Sequence, residues 1–247
     1  MKILLTNDDG FDSPGIHALF EALSKIHNVT MIAPKTEKSV VSHSLTLHKP
    51  LRIHKISDFH YTTSGTPVDC VYLGINEIMK NDKPDIVISG INKGENLAED
   101  VFFSGTVGAA REGAILGFPS YAVSLAFGKN HKPKKLIWDT AVQALLHVLE
   151  KNGKKIPKYT TLNINAPNME FAKIKGYKET KLGFRRYSST VIKRDDNRGS
   201  PYFWIGGKYL GYDKKVKSSD CDAVEKGFVS VSPLHLDCTN YGYKLKF

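Results

Sequence analysis

Cysteine is scarce in this 247-residue chain, and the three present, Cys70, Cys221 and Cys238, are scattered without a CxxC pair. That pattern supports neither a disulfide framework nor a thiolate zinc site, so reduced, buried or half-buried thiols are expected. No apolar run approaches the roughly 20 residues that cross a bilayer. Met1 leads straight into a strand-like stretch, with no basic leader and apolar h-region. A cytoplasmic location and no membrane partner are therefore expected. Chemical motifs are missing too. Without GxGxxG after the first strand-like run, dinucleotide redox chemistry lacks its phosphate cradle, and without GxxxxGK[ST] so does P-loop ATP hydrolysis. No GxSxG elbow marks an α/β-hydrolase serine.

Acidic residues are also in deficit. Against 35 Lys+Arg stand 25 Asp+Glu, a formal net charge of +10, which raises the local concentration of anions and points to an anionic partner. Nucleic acid is the first candidate. The excess is partly dispersed in clusters such as Lys132 to Lys135 and Lys151 to Lys158, which read as solvated loops and helix faces rather than one binding stripe.

Strand-like and helical patterns alternate up to about residue 125. KILLTN (2 to 7) precedes Ile16, Leu19, Phe20, Leu23 and Ile26 at helical spacing, then VTMIAP (29 to 34), HYTTSG (60 to 65), a helix from Pro67, PDIVISG (84 to 90), a small-residue helix from Gly105 to Leu116, and PSYAVSL (119 to 125). A helix from Leu136 to Glu150 and a strand TTLNINAP (160 to 167) follow. Alternation of this kind predicts an α/β fold, a Rossmann-like three-layer sandwich whose mostly parallel sheet is covered on both faces. Beyond Pro167 polar and aromatic residues alternate, and residues 185 to 207 read as two strands around a turn at Asp195 to Gly199, a protruding C-terminal β-hairpin extension. Its Tyr202, Phe203 and Trp204 could bind a base, but aromatic hairpins more often pack against a partner subunit. One domain is expected over 1–247, with the extension at 185–215 and a segment at 218–247 used in oligomerisation.

Ligands of open α/β sheets bind at the carboxyl ends of the strands. There stand Asn7, Asp8, Asp9 and Gly10 after the first strand, then Ser39, Ser42, His43 and Ser44 in the loop after the second. Ser64, Gly65 and Thr66 follow the third, and Ser89 to Asn96 the fourth. Consecutive carboxylates repel in a partly buried turn unless a cation or hydrogen-bond donors offset them. An isolated Asp-Asp reads as a helix N-cap with a solvated neighbour; its place after a parallel strand favours a hard divalent metal held by oxygen ligands, magnesium, manganese or calcium. SGTVGAAREG (104 to 113) supplies Ser104 and Thr106 hydroxyls and the Gly105 amide at a helix start, a phosphate site or equally an N-cap with packing glycines. Among nine histidines, His43 and His235 fall where they could reach the site as acid or base, whereas His17, His27 and His147 sit in helical patterns.

TNDDG (6 to 10) with PG (14 to 15), SHSLTL (42 to 47), GTPVDCVYLG (65 to 74), SGINKGEN (89 to 96) and SGTVGAAREG (104 to 113) together resemble the SurE family, as do RGSPYFWIGG (198 to 207) and AVEKGFVSVSPL (223 to 234). The resemblance implies a metal-dependent nucleotidase that releases phosphate from nucleoside 5'- and 3'-monophosphates, with polyphosphate as a secondary substrate. It also implies one divalent ion per subunit, Mn2+ or Mg2+ ahead of Ca2+, on Asp8, Asp9, Ser39 and Asn92. Asn96, Ser104, Gly105 and Thr106 would line the phosphate, with either a metal-activated water or Asp8 as the attacking group. A homodimer or homotetramer that exchanges a hairpin or terminal segment is implied too. Two departures stand out. Glu95 occupies the family's usual Pro position and brings a negative charge beside an anion site, which bears on substrate affinity. Val40 and Val41 replace small residues and narrow that wall.

Two rivals make different demands. A single-stranded nucleic-acid-binding protein would use the +10 charge and the hairpin aromatics near Arg194 and Arg198, and would have no need of Asp8 or Asp9. The enzyme reading expects no stable nucleic-acid partner. Metal-dependent glycosyltransferases also place neighbouring carboxylates on such sheets, but the consecutive pair at the first strand argues against one.

Overall fold

The computed structural model describes residues 1–128 and 133–245, so Lys132 of the first basic cluster and residues 246–247 of the terminal segment lie outside the described residues. β1 (Lys2–Thr6) shows why the chain forms layers. Ile3 and Leu5 enter one apolar core and Leu4 the other, the period of two that a strand covered on both faces requires. All three side chains are fully buried, each contributing about 1.5–3 kcal/mol. A one-residue slip would exchange their faces, so the register is firm and the residues after Thr6 are delivered to a defined place.

The chain continues through α1 (Pro14–Leu23), β2 (Asn28–Pro34), β3 (Ile53–Ser57), β4 (His60–Thr63), α2 (Pro67–Leu73), β5 (Ile86–Lys93), α3 (Gly105–Ile115), β6 (Ser120–Ala126), α4 (Trp138–Asn152), β7 (Thr160–Pro167) and β8 (Tyr177–Glu179). Four short strands form the extension: β9 (Arg185–Tyr187), β10 (Thr190–Asp195), β11 (Pro201–Gly206) and β12 (Tyr209–Tyr212). After them α5 (Asp220–Glu225) and β13 (Val229–His235) return to the body. One nine-stranded sheet runs in the order β3, β4, β2, β1, β5, β6, β7, β13, β8. The strands from β4 to β7 are parallel, whereas β3 and β13 pair antiparallel to β4 and β7. Helices α1 and α4 pack on the Ile3 and Leu5 face, and α2 and α3 on the Leu4 face. The three-layer α/β sandwich with its mostly parallel sheet is thus present.

Some expectations change. α1 stops at Leu23 and leaves Ile26 exposed. The extension is two stacked ladders, a β9–β12 stem and an exposed β10–β11 tip. The segment from 218 divides: α5 and β13 belong to the body, with β13 inserted between β7 and β8, and only residues 237–245 form an exposed tail.

Candidate active site

Two consecutive carboxylates leave β1 in a tight turn. Asn7 Nδ2 donates to the Gly10 carbonyl (2.8 Å), and Gly10 takes φ +96°, where an added Cβ would stand 3.2 Å from backbone atoms of Thr36 and Glu37. Asp8 is buried and Asp9 half-buried. Asp8 meets the start of α3, where the Thr106 amide donates to Oδ2 (3.0 Å) and the Thr106 hydroxyl donates to Oδ1. Burial pushes the Asp8 carboxyl up to about 6; the Thr106 hydroxyl bond opposes the rise and Asp9 adds to it. Asp9 is raised as well, chiefly by burial, against the Lys93 amide donating to its Oδ2 (3.0 Å). Two crowded carboxylates whose ionised forms are both disfavoured make a place where a cation binds well.

The loop after β2 folds back over this turn. The Lys38 amide donates to the Asp8 carbonyl (2.8 Å), the Ser39 hydroxyl donates to Glu37, and the Ser42 amide and hydroxyl donate to the Phe103 (3.0 Å) and Phe102 (2.6 Å) carbonyls. Val40 at φ +56° and Ser42 at φ +54° hold left-handed backbone here, an unfavourable choice for a β-branched residue. Asn92 arrives by a bulge, since three steps along β5 from Ser89 to Asn92 face two along β6 from Ala122 to Ser124. Such an irregularity turns a side chain out of the ladder. Its Nδ2 donates to the Gly94 carbonyl (2.9 Å), which leaves the amide oxygen to accept. Asn96 is buried, with Nδ2 donating to Ser124 (2.8 Å) and its carbonyl accepting from Asn163 and Asn165.

These elements bring Asp8, Asp9, Ser39, Asn92, Asn96 and Ser104 to one 490 Å³ cleft. Other sequence-predicted residues are placed elsewhere. Thr106 is fully buried with its donors turned to Asp8, and neither it nor Gly105 lines the cleft; a Cβ on Gly105 would stand 2.9 Å from Asp8 and 3.1 Å from Val41. Gly105 thus allows helix and carboxylate to meet. His43 Nε2 lies 2.7 Å from Glu112 on α3, away from the cleft. His235 closes β13 opposite Thr160, the first residue of β7, because the antiparallel pairing carries it to the amino end of that strand; it lines a separate 670 Å³ cavity beside α3. Ser64 to Thr66 also stay out of the cleft. Thr66 caps α2 in a capping box with Asp69, and Thr66 and Asp69 pin the loop through Ser44 and Thr46.

Several cleft residues were not foreseen: Glu37, Asp100, Phe103 and Tyr187. Asp100, Phe103 and Tyr187 lie outside the strand-end segments, and only the packing of β9 against residues 95–100 brings Tyr187 here. Glu95, the departure from the family run, is neutralised. Its Oε1 accepts from Arg185 Nη2 (2.8 Å) and its Oε2 from the Phe127 amide (2.8 Å).

Among the described residues no group of three or more His, Cys, Asp or Glu side chains is placed to hold a metal. The donors left at the cleft are oxygens of two carboxylates, a hydroxyl whose hydrogen bonds to Glu37, and an amide whose nitrogen is occupied. That set fits a hard divalent ion.

A family model described as Survival protein SurE matches residues 3–189. The chain belongs to the SurE family. A protein named 5'-nucleotidase SurE from Aquifex aeolicus is 47% identical over 239 residues, covering 96% of this chain and 93% of that protein. Another of that name from Geotalea daltonii is 46% identical over 241 residues, covering 98% and 95%. The crystal structure of the SurE protein from Aquifex aeolicus superposes with a TM-score of 0.85 at 43% identity, covering 98% of this chain and 96% of that one. The fold described above is therefore that of SurE along nearly its whole length.

Proposed function

We propose that this SurE chain is a nucleotidase, a phosphomonoesterase that releases phosphate from nucleoside 5'- and 3'-monophosphates with one divalent ion, Mn2+ or Mg2+ ahead of Ca2+. The observation that carries the reading is the Asp8 and Asp9 pair, both disfavoured as anions by burial, at the floor of a cleft that opens beside the start of α3. Relatives named 5'-nucleotidase SurE support the substrate class. Asp8, Asp9, Ser39 and Asn92 would hold the ion, which supplies positive charge against the phosphoryl oxygens.

The remaining work falls to this chain's own groups. Thr106 locks the Asp8 carboxylate through one bond to each oxygen, so its orientation is set before substrate arrives. Ser104 accepts from the Val107 amide as the N-cap, which leaves its hydroxyl proton free to donate to a phosphate oxygen. Asn96 spends one Nδ2 proton on Ser124 and keeps the other. The exposed Phe103 ring on the cleft wall offers an apolar face to a nucleoside. His43 and His235, which do not line the cleft, are given no step.

Phosphate release from nucleoside 5'- and 3'-monophosphates and from polyphosphate, each with Mn2+, Mg2+ or chelator, tests the reading. Turnover of monophosphates that chelator stops and Asp9→Asn abolishes is expected. Equal turnover in chelator, or in Asp9→Asn, would overturn the site assignment.

A further inference from the structure

Arg185 stands on β9 in the stem of the extension, 90 residues along the chain from Glu95 and 85 from Asp100. Its side chain is only 6% exposed, yet it reaches the wall of the cleft from behind. Nη2 donates to Glu95 Oε1 (2.8 Å), Nη1 donates to Asp100 Oδ2 (2.5 Å), and its amide donates to the Glu99 carboxylate (2.9 and 3.1 Å). The guanidinium also lies over the Tyr209 ring (4.4 Å) and near that of Tyr187 (5.4 Å), whose hydroxyl donates to the same Asp100 oxygen (2.8 Å).

Charge makes this arrangement consequential. Among the described residues five carboxylates line the cleft, Asp8, Asp9, Glu37, Glu95 and Asp100, against a single lysine, Lys93. A divalent ion on Asp8 and Asp9 offsets two of them. Glu95 and Asp100 would still face an incoming phosphate dianion, and like charges across a cleft of this size repel it. Among the described residues Arg185 is the cation placed to cancel them, and its planar fork bonds both at once.

We propose that Arg185 is a positioning residue for substrate binding. By pairing with Glu95 and Asp100 from behind the wall it sets the affinity of the cleft for a phosphate dianion, which makes the stem of the extension part of the active site. This rests on the cleft being the phosphomonoester site. Removing the guanidinium strands two carboxylates beside the substrate, and removing their charges as well restores the balance.

Initial rates with a nucleoside 5'-monophosphate and Mn2+, at low and high salt, test it. Arg185→Gln should raise KM about tenfold, with kcat within about threefold of wild type and the KM penalty shrinking as salt screens it. Adding Glu95→Gln and Asp100→Asn to that variant should bring KM back to within about threefold of wild type. An unchanged KM in Arg185→Gln, or no recovery in the charge-neutral triple variant, overturns the proposal, since loss of packing alone would not be repaired by removing two carboxylates. Should Arg185→Gln fail to fold, Glu95→Gln alone decides: KM falls about threefold if the proposal holds and stays or rises if it does not. If the wild-type protein releases no phosphate from any monophosphate, the hydrolytic reading fails separately. Calorimetric binding of inorganic phosphate to the same Mn2+-supplemented variants then reads the Arg185 proposal, with the same tenfold loss and recovery expected and equal affinity overturning it.

Discussion

Asp8 is held in the ionised form at a cost that its own neighbourhood sets. Its folded pKa near 6 lies above the ordinary 3.8, so the folded chain binds more protons than the unfolded one between those values. The metal-free fold therefore loses stability as pH rises from about 4 to about 6, and above that the loss is complete, on the order of 3 kcal/mol at pH 7. Asp8→Asn keeps both Thr106 contacts, accepting from the amide and donating to the hydroxyl. It should melt above wild type at pH 7.5 in chelator, with the gap closing towards about pH 4, and should release no phosphate. Mn2+ should raise the melting temperature of wild type and not of the variant; an equal rise in both would place the ion elsewhere. Thr106→Val tests the opposing hydrogen bond. The hydroxyl bond lowers the Asp8 pKa, so its loss should move the acid limb of the Mn2+-dependent pH–rate profile to higher pH and cost about 1 kcal/mol of stability. An unmoved limb would remove Asp8 from the titration that controls rate.

At the scale of elements, the site depends on how closely helices approach the sheet. A Cβ on Gly15 at the start of α1 would lie 2.3 Å from the Ile91 carbonyl, and one on Gly113 of α3 would lie 2.5 Å from Ser120 Oγ and 2.8 Å from Val87 Cβ. Gly113→Ala should cost about 1–3 kcal/mol in urea denaturation. KM should stay as in wild type, because the substitution lies more than two turns from Ser104. A neutral effect on stability would mean that α3 can lift from the sheet. Parallel alternation through β1, β2, β5, β6 and β7 was legible because each carries a buried run, and α1 and α4 each bury one apolar stripe. Strands β3 and β8 were not: β3 is mostly exposed, β8 has three residues, and neither carries a periodic pattern. Gly108, one of the packing glycines of SGTVGAAREG, makes room for the loop after β2, since a Cβ there would stand 2.7 Å from the Ser42 carbonyl.

For the whole molecule, the +10 charge is spread over exposed lysines such as Lys151, Lys154, Lys155 and Lys158, while the cleft itself is rich in carboxylates. Basic charge dispersed in this way steers anions towards the molecule. The β10–β11 tip exposes Phe203, Trp204 and Ile205 at 58, 62 and 92%, and an isolated two-stranded ladder is marginal in water without something packed against it. A second copy of the chain is the expected cover, in a homodimer or homotetramer. Trp204→Glu with Ile205→Glu should shift the light-scattering mass of the purified protein to a smaller assembly. A wild-type protein that already elutes as a monomer would refute this.

The sequence by itself determined the α/β layering, through strand and helix periodicities that only one kind of packing satisfies. It also singled out Asp8, Asp9, Ser39, Asn92, Asn96 and Ser104, because strand ends in a parallel sheet must converge and the motifs there match SurE. Their arrival in one cleft, the turning of Thr106 onto Asp8, and the placing of His43 and His235 away from it were decided by tertiary structure. So was the pairing of Glu95 with Arg185. Each depends on contacts between segments 30 to 98 residues apart in the chain or on the direction in which β13 pairs, and local pattern carries no record of which distant group a side chain will meet.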